Sequence, residues 1–552
     1  MKKFRYVLLF VVFIASSLLL SGYNDLYYFQ INKSFDIFGE AFKRISIDYV
    51  YEINPDVLLK NGINGMLKDL DPYTVFIDEL ESESIDLTTY GRYTGLGITV
   101  SRIDGLLTIS DVNEGFPAAK AGLRIGDHII RIDSIDLTSS SSTELREHTR
   151  GDEGSRLLLY VIRDGISDTL RFSLVRKSIQ LANIPYSGIL SGDIGYVKLD
   201  RFSETSADDL SSAIYDLKKQ KSLKGLILDL RGNGGGVLDA AIEVSELFIE
   251  PGSEIVSIRS RNESKSKTYK SSNLPINADL PLAVLIDKQS ASASEIVAGA
   301  IQDLDRGIIV GENSFGKGLV QTVFTLPYNT NLKVTTAKYY TPSGRSIQKI
   351  DYSPKHNVSA KNDTIYFHTK NGRPVPELVG IMPDSFVAYK EYPEYVEQLG
   401  EQNMFFKFAN LYRTRNDTLE QNFNAEKLLP EFKKFINEAG FEYKSPFQTK
   451  LDELKVIASE KTYKKKFLKS IENLEEELSK ELSDYVDYYK KDIVSLLEFE
   501  ISRRYMFERQ LNEIFLEKDV QVVTARELLS NGDYNRILNN VANHNGNNKG
   551  KN

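Results

Sequence analysis

The chain has no cysteine. That excludes disulfides, a thiol nucleophile, a cysteine-ligated metal and a lipid-bearing N-terminal cysteine. Histidine is scarce: His128, His148, His356, His368 and His544 are the only five in 552 residues. None lies in a recognisable triad motif, which disfavours a conventional Ser-His-Asp hydrolase. Excess positive charge is also lacking. The formal net charge is -8, with acids and bases mixed along the chain. A nucleic-acid surface needs a basic patch, so nucleic acid is not an expected partner. A complete phosphate loop is missing too. Arg231-Gly232-Asn233-Gly234-Gly235-Gly236 precedes a helix, but no Lys-Ser/Thr follows the glycines. The free N–H groups of such a turn suit an anionic transition state better. No motif calls for a metal or a cofactor.

What is present is a folded chain, 41% apolar and long enough for several domains. Lys2, Lys3 and Arg5 precede an apolar run from Tyr6 to Leu20, then Ser21, Gly22 and polar sequence. That is the layout of an export signal. The run is about 15 residues, short of the roughly 20 that span a bilayer. Residues 1–22 are therefore expected to direct export to the periplasm or cell envelope, either cleaved off or kept as an inner-membrane anchor. Residues 23–90 form a helical region. Phe35, Phe38, Phe42 and Ile45 are helically spaced, Asn54-Pro55 breaks that helix, and a second runs from Val57 to Leu70. Its expected role is packing or self-association.

Short alternating strands with glycine turns begin near Gly91. Tyr93-Thr94-Gly95-Leu96-Gly97-Ile98-Thr99-Val100, Gly115-Phe116-Pro117-Ala118-Ala119-Lys120-Ala121-Gly122-Leu123 and Ile125-Gly126-Asp127 follow in order. Residues 91–177 resemble a PDZ domain. Such domains add a peptide to a sheet edge and hold its C-terminal carboxylate on loop amides. The resemblance assigns that loop to Gly95, Leu96, Gly97 and Ile98, and it implies protein or peptide partners with free C-termini.

From 178 to 388 strands alternate with helices, which predicts an α/β core. Strands are expected over Ile194–Leu199, Gly225–Leu230 and Pro281–Ile286, and helices over Ser206–Lys219 and Leu238–Phe248. The strand at Pro281–Ile286 runs into Ser290, Ser292 and Ser294 at the start of a helix. A helix N-terminus favours developing negative charge, but a serine still needs a base. Lysine can serve if burial lowers its pKa from about 10.4. Lys317 lies between Gly316 and Gly318, with Phe315, Leu319 and Val320 expected to make its surroundings apolar. Gln321, four residues on, shares a face with Lys317 on a strand or a helix alike. A neutral amide there would hold the amine without stabilising its charged form.

Together these stretches resemble the C-terminal processing peptidases, or tail-specific proteases. The resemblance rests on Ser290 to Ala300, Phe315 to Gly318, Asp229 to Arg231, Tyr339 to Gln348, Gly380 to Asp384 and Gly65 to Thr74. It implies a multidomain α+β protein, with an α/β protease core of ClpP/crotonase-like type and an inserted PDZ domain. It further implies serine endopeptidase activity through a Ser-Lys dyad. The family's spacing of 25 residues from nucleophile to lysine selects Ser292 with Lys317, and Gln321 orients the lysine. The oxyanion hole falls to the amide of Ala293 and one from Gly235 or Gly236. Two departures stand out. Gln289 replaces a usual glycine, and Gly232 and Gly234 replace the commoner Asn and Pro. A catalytically silent PDZ scaffold is the alternative; the joint presence of serine, lysine and glutamine weighs against it.

Beyond Tyr389 a helical extension runs to residue 538. Phe467, Ile471, Leu474, Leu478, Leu482, Tyr485 and Tyr489 trace one amphipathic stripe. It is expected either to form a homo-oligomer or to fold back on the protease body. An adaptor protein is a further candidate partner. Residues 539–552 are polar and Asn-rich, the composition of a disordered tail.

Overall fold

The computed structural model describes residues 26–79, 91–352, 365–460 and 465–539. The candidate export signal and residues 540–552 lie outside them. No helix among the described residues is long and apolar enough to cross a membrane.

The chain divides into two compact units. The first joins Met1–Glu79 to Gln321–Thr335. It contains helix α1 (26–48) and helix α2 (Pro55–Leu67). Asn54 caps α2 by accepting from the amides of Asp56 and Val57, and Pro55 occupies a first-turn position where it has no amide to lose. Asp71 closes the next turn. Its carboxylate accepts from the amides of Tyr73 and Thr74 and from the Thr74 hydroxyl. Strand β1 (Val75–Ile77) then pairs antiparallel with Asn331–Lys333. Both expected helices are present, yet Phe35, Ile45, Val57 and Met66 stay exposed.

The second unit begins with the PDZ-like fold. Its main sheet is antiparallel, and strand β2 (Ile98–Ile103) is an edge strand of it. Helix α3 (Ser142–Thr149) packs beside β2. Leu107, Ile109, Ile129, Leu159 and Val161 fill the core.

A six-stranded sheet follows. Its spatial order is Tyr186–Leu190, β3 (Ile194–Lys198), β4 (Gly225–Asp229), β5 (Leu282–Ile286), β6 (Ile308–Gly311) and Ser385–Phe386. All neighbours are parallel except the first pair. Parallel strands covered on both faces read as unbroken apolar runs, and every residue of β4, β5 and β6 is buried. Alternate side chains divide between the two faces. Leu226, Leu228, Leu282 and Val284 face one core with helices Ser206–Gln220, Leu238–Glu246 and α4 (Ala293–Asp303). Ile227, Ala283, Leu285 and Val310 face another, completed by Val522, Ala525 and Leu529 of α5 (Val520–Ser530). The last helices of the chain thus cover the rear of the six-stranded sheet.

The stripe expected from Phe467 to Tyr489 is interrupted. One helix covers Lys465–Ser483 and another Tyr485–Tyr488. Ile471 packs with Leu451 and Ala458 of the preceding helix. Tyr485 and Tyr489 join a separate aromatic cluster around Tyr395. Neighbouring helices thus cover Ile471, Leu478, Tyr485 and Tyr489, while Leu474 stays exposed. The side chains of Phe467 and Leu482 lie outside the described residues.

Candidate active site

β5 delivers the serine turn. At its end the Asp287 carboxylate accepts from the amides of Gln289 and Ser290, and from that of Gly232 at 3.1 Å. One side chain thereby ties the serine turn to the glycine turn. The three serines then differ in what their hydroxyls do. Ser290 Oγ donates to the Leu230 carbonyl and Ser294 Oγ to that of Asn233, each at 2.8 Å, and both residues are fully buried. Ser292 sits at φ 55°, ψ -110° and its side chain makes no cap hydrogen bond. Positive φ at a non-glycine residue costs on the order of 1–3 kcal/mol. Of the three hydroxyls, that of Ser292 alone is not tied to the Leu230 or Asn233 carbonyl. Gln289 is exposed and does not fill the site.

The glycine turn is held by buried Asn233. Its Nδ2 donates to the Leu199 carbonyl, its carbonyl accepts from the Ala291 amide, and its Oδ1 accepts from the Gly235 amide at 2.9 Å. Gly235 approaches Ser292 closely: a Cβ there would lie 3.0 Å from the Ala293 nitrogen and 3.0 Å from the Ser292 Cβ. A Cβ on Gly236 would lie 2.1 Å from the Phe202 carbonyl oxygen. Of the three expected oxyanion donors, Ala293 and Gly236 have amides that donate to no described residue. Gly235 differs, because the side-chain amide of Asn233 folds back onto it. Gly236→Ala is therefore expected to displace the turn and slow acylation of the serine by about 10²- to 10³-fold, the effect of losing one oxyanion donor. Active-site labelling rates with unchanged PDZ–peptide affinity would check this.

The lysine loop is tied to the same helix start. Glu295, the third residue after Ser292, is fully buried at the first turn of α4. Its Oε2 accepts from the amides of Ser292 (2.8 Å) and Lys317 (2.9 Å). Its Oε1 accepts from the Gly316 amide (2.7 Å) and the Ser314 hydroxyl (2.5 Å). Burial pushes this carboxyl up to about 7, against the pull of those four donors. The Tyr339 hydroxyl lies 3.1 Å from the Ser292 carbonyl and 2.5 Å from that of Lys317. Two side chains thus hold the backbones of Ser292 and Lys317 as neighbours. Leu319 is buried as expected, but Phe315 is 47% exposed and does not enclose Lys317.

Gln321 belongs to the first unit. Its Nε2 donates to Thr335 Oγ1 at 3.2 Å, and Thr335 Oγ1 donates to Asp71 Oδ1 at 2.9 Å. The Asp71-Pro72-Tyr73-Thr74 turn, noted in the sequence only as a matching motif, therefore anchors this glutamine.

In the PDZ-like fold, Gly95 ends a short strand (Arg92–Gly95) paired with Lys177–Gln180, Leu96 and Gly97 form the loop, and Ile98 opens edge strand β2. Leu96 is buried, and the carbonyls of Leu96 and Gly97 accept from Ala118 and Asn113. The amides of Leu96 and Gly97 donate to no described residue. Gly97 has φ 79°, and a Cβ there would lie 2.5 Å from the Phe116 Cβ.

Residues 193–358 match the family described as Peptidase family S41. Residues 94–174 match the PDZ domain family, and 395–529 the probable PDZ-protease C-terminal helical domain. A carboxy-terminal-processing protease of Bartonella bacilliformis is 39% identical over 63% of this chain and 82% of its own length. The chain belongs to the carboxy-terminal processing protease family. The carboxy-terminal processing protease CtpA of Bacillus subtilis is 34% identical over 59% of this chain and 69% of its own. Among solved structures, the photosystem II D1 C-terminal processing protease covers 63% of this chain and 86% of its own, at 26% identity and a TM-score of 0.36. As a family member the chain is a serine protease carrying a PDZ domain. Three site residues escaped the sequence reading. Glu295 had a legible signal, since Ser292-x-x-Glu295 is a helix-start pattern. Tyr339 had none, because its partners are distant in the chain, and of the contacts of Asn233 only the one to Gly235 is local.

Proposed function

We propose that this carboxy-terminal processing protease is an exported endopeptidase acting through an acyl-enzyme on Ser292. Neutral Lys317 takes the hydroxyl proton as Ser292 Oγ attacks a peptide carbonyl. The oxyanion is met by the amide of Ala293 and one from the glycine turn, where Gly236 is the unengaged candidate. Lys317 then protonates the leaving amine, and water hydrolyses the ester. Gln321 is assigned to orienting the lysine amine from its spacing alone. The observation that carries this reading is the shared hold of Glu295 and Tyr339 on the backbones of Ser292 and Lys317.

Substrates are recruited by their C-termini on the loop Gly95–Ile98, with strand addition at β2. The edge position of β2 and the unengaged amides of Leu96 and Gly97 support this. Export rests on the charged start and apolar run of residues 1–22, and fractionation of cells producing the full chain would test it.

The activity test is an unfolded reporter with an apolar tail, supplied with a free or an amidated C-terminus. The free tail should be cut at least tenfold faster, and Ser292→Ala should cut neither. Cleavage surviving Ser292→Ala would overturn the nucleophile. Equal cleavage of both tails would overturn recruitment by the carboxylate.

A further inference from the structure

Arg231 opens the glycine turn, and its guanidinium is almost fully enclosed, 13% exposed. Half of its hold is local. Nε and Nη2 donate to the buried carboxylate of Asp229 at 3.0 and 2.6 Å, and Tyr196 Oη donates to the same carboxylate at 2.7 Å. The other half comes from the far end of the chain. Nη1 donates to Asp519 Oδ2 and to Gln521 Oε1, each at 2.8 Å. Asp519 is the N-cap of α5, accepting from the amides of Gln521 and Val522. Gln521 is fully buried and donates to the Val387 carbonyl. The main chain leads directly from this clasp into the site. The amide of Gly232, next to Arg231, bonds the Asp287 carboxylate that shapes the serine turn. Asn233 follows, and then Gly235 and Gly236.

We infer that Asp519 and Gln521 are positioning residues for the peptidase reaction, acting through Arg231 on the glycine turn. The C-terminal helix α5 is then part of the catalytic unit and not only a rear cover of the sheet. A planar guanidinium clamped on two edges leaves its backbone little freedom. With one edge released, Arg231 can swing about the Asp229 contact, and the turn that presents Gly236 loses its fixed origin. Oxyanion donors must be placed within fractions of an ångström, so acylation suffers before folding does.

This inference rests on the proposed acylation of Ser292, and the test separates the two. Full-length Asp519→Ser keeps a helix cap, because serine caps well, but is too short to reach Arg231. Asp519→Asn keeps both the cap and an acceptor. Leu529→Ala removes packing from α5 without touching the clasp. Each protein is reacted with a fluorophosphonate probe well below its melting temperature, and PDZ–peptide affinity is measured in parallel. Asp519→Ser is expected to label at least tenfold more slowly with unchanged peptide affinity. Asp519→Asn should recover to within about threefold of wild type, and Leu529→Ala should melt earlier yet label at the wild-type rate. Wild-type labelling by Asp519→Ser, or equal slowing by Leu529→Ala, would overturn the inference. Failure of the wild type to label on Ser292 would instead overturn the proposed function.

Discussion

Lys317→Arg is expected to lose activity as completely as Lys317→Ala, each slowing acylation of Ser292 by about 10²- to 10⁴-fold, the range of general-base catalysis. The two substitutions test different things. Alanine removes both charge and base, whereas arginine keeps the positive charge and removes only the base, because a guanidinium stays protonated in proteins. The loop itself should survive either change. Its path is set by the Lys317 amide on Glu295 and the Lys317 carbonyl against Tyr339, and neither contact uses the side chain. Pre-steady-state labelling of the serine, with melting temperature as the control, reads the outcome. An arginine variant that kept more than a tenth of the wild-type rate would mean that position 317 supplies charge and not a base.

Glu295→Gln is the second large effect, and it has a pH signature. The folded carboxyl stands at about 7 instead of 4.5, because burial penalises its charge more than its donors repay. Its folded pKa is raised, so its contribution to stability is complete below about pH 4.5. That contribution is lost as pH rises through 7. The shift corresponds to about 3 kcal/mol at 1.36 kcal/mol per pKa unit. The stability of wild type relative to Glu295→Gln should therefore fall by roughly that amount between pH 4.5 and 7.5, measured by denaturant unfolding at each pH. A flat difference would show that the carboxyl titrates normally. Activity should fall as well. A glutamine amide nitrogen cannot accept, so at least one of the donors grouped around Glu295 loses its partner. A displacement of about 1 Å between nucleophile and base costs on the order of 10²-fold.

Much of the fold was legible because its signals are local. The apolar runs Leu226-Ile227-Leu228 and Leu282 to Ile286, short and bounded by turn residues, read as strands covered on both faces. Asn54-Pro55 marked the break between two helices, and three glycine motifs in order marked the PDZ fold. For α1 the spacing showed a helix and left open what its apolar face meets, because helical spacing reports period and not whether anything covers it. The long stripe from Phe467 to Tyr489 was misjudged for a related reason. Periodicity continues across Asp484, while the chain turns there and sends Ile471 and Tyr485 to different cores.

For the site, sequence by itself determined which residue types stand in which order: three serines at a helix start, of which the family's spacing selects Ser292 for the proposed dyad, then Lys317, Gln321, and the turn from Arg231 to Gly236. Each is a residue type in a pattern, readable without knowing what lies nearby. The tertiary structure alone decided how those groups are held. It turned Ser290 and Ser294 inward, gave the Gly235 amide to Asn233, set Glu295 and Tyr339 between nucleophile and lysine, and brought Asp519 to Arg231 across 288 residues. Hydrogen bonds depend on distances of about 3 Å and on burial. Positions far apart in the chain acquire both only when the sheet and its covering helices are assembled.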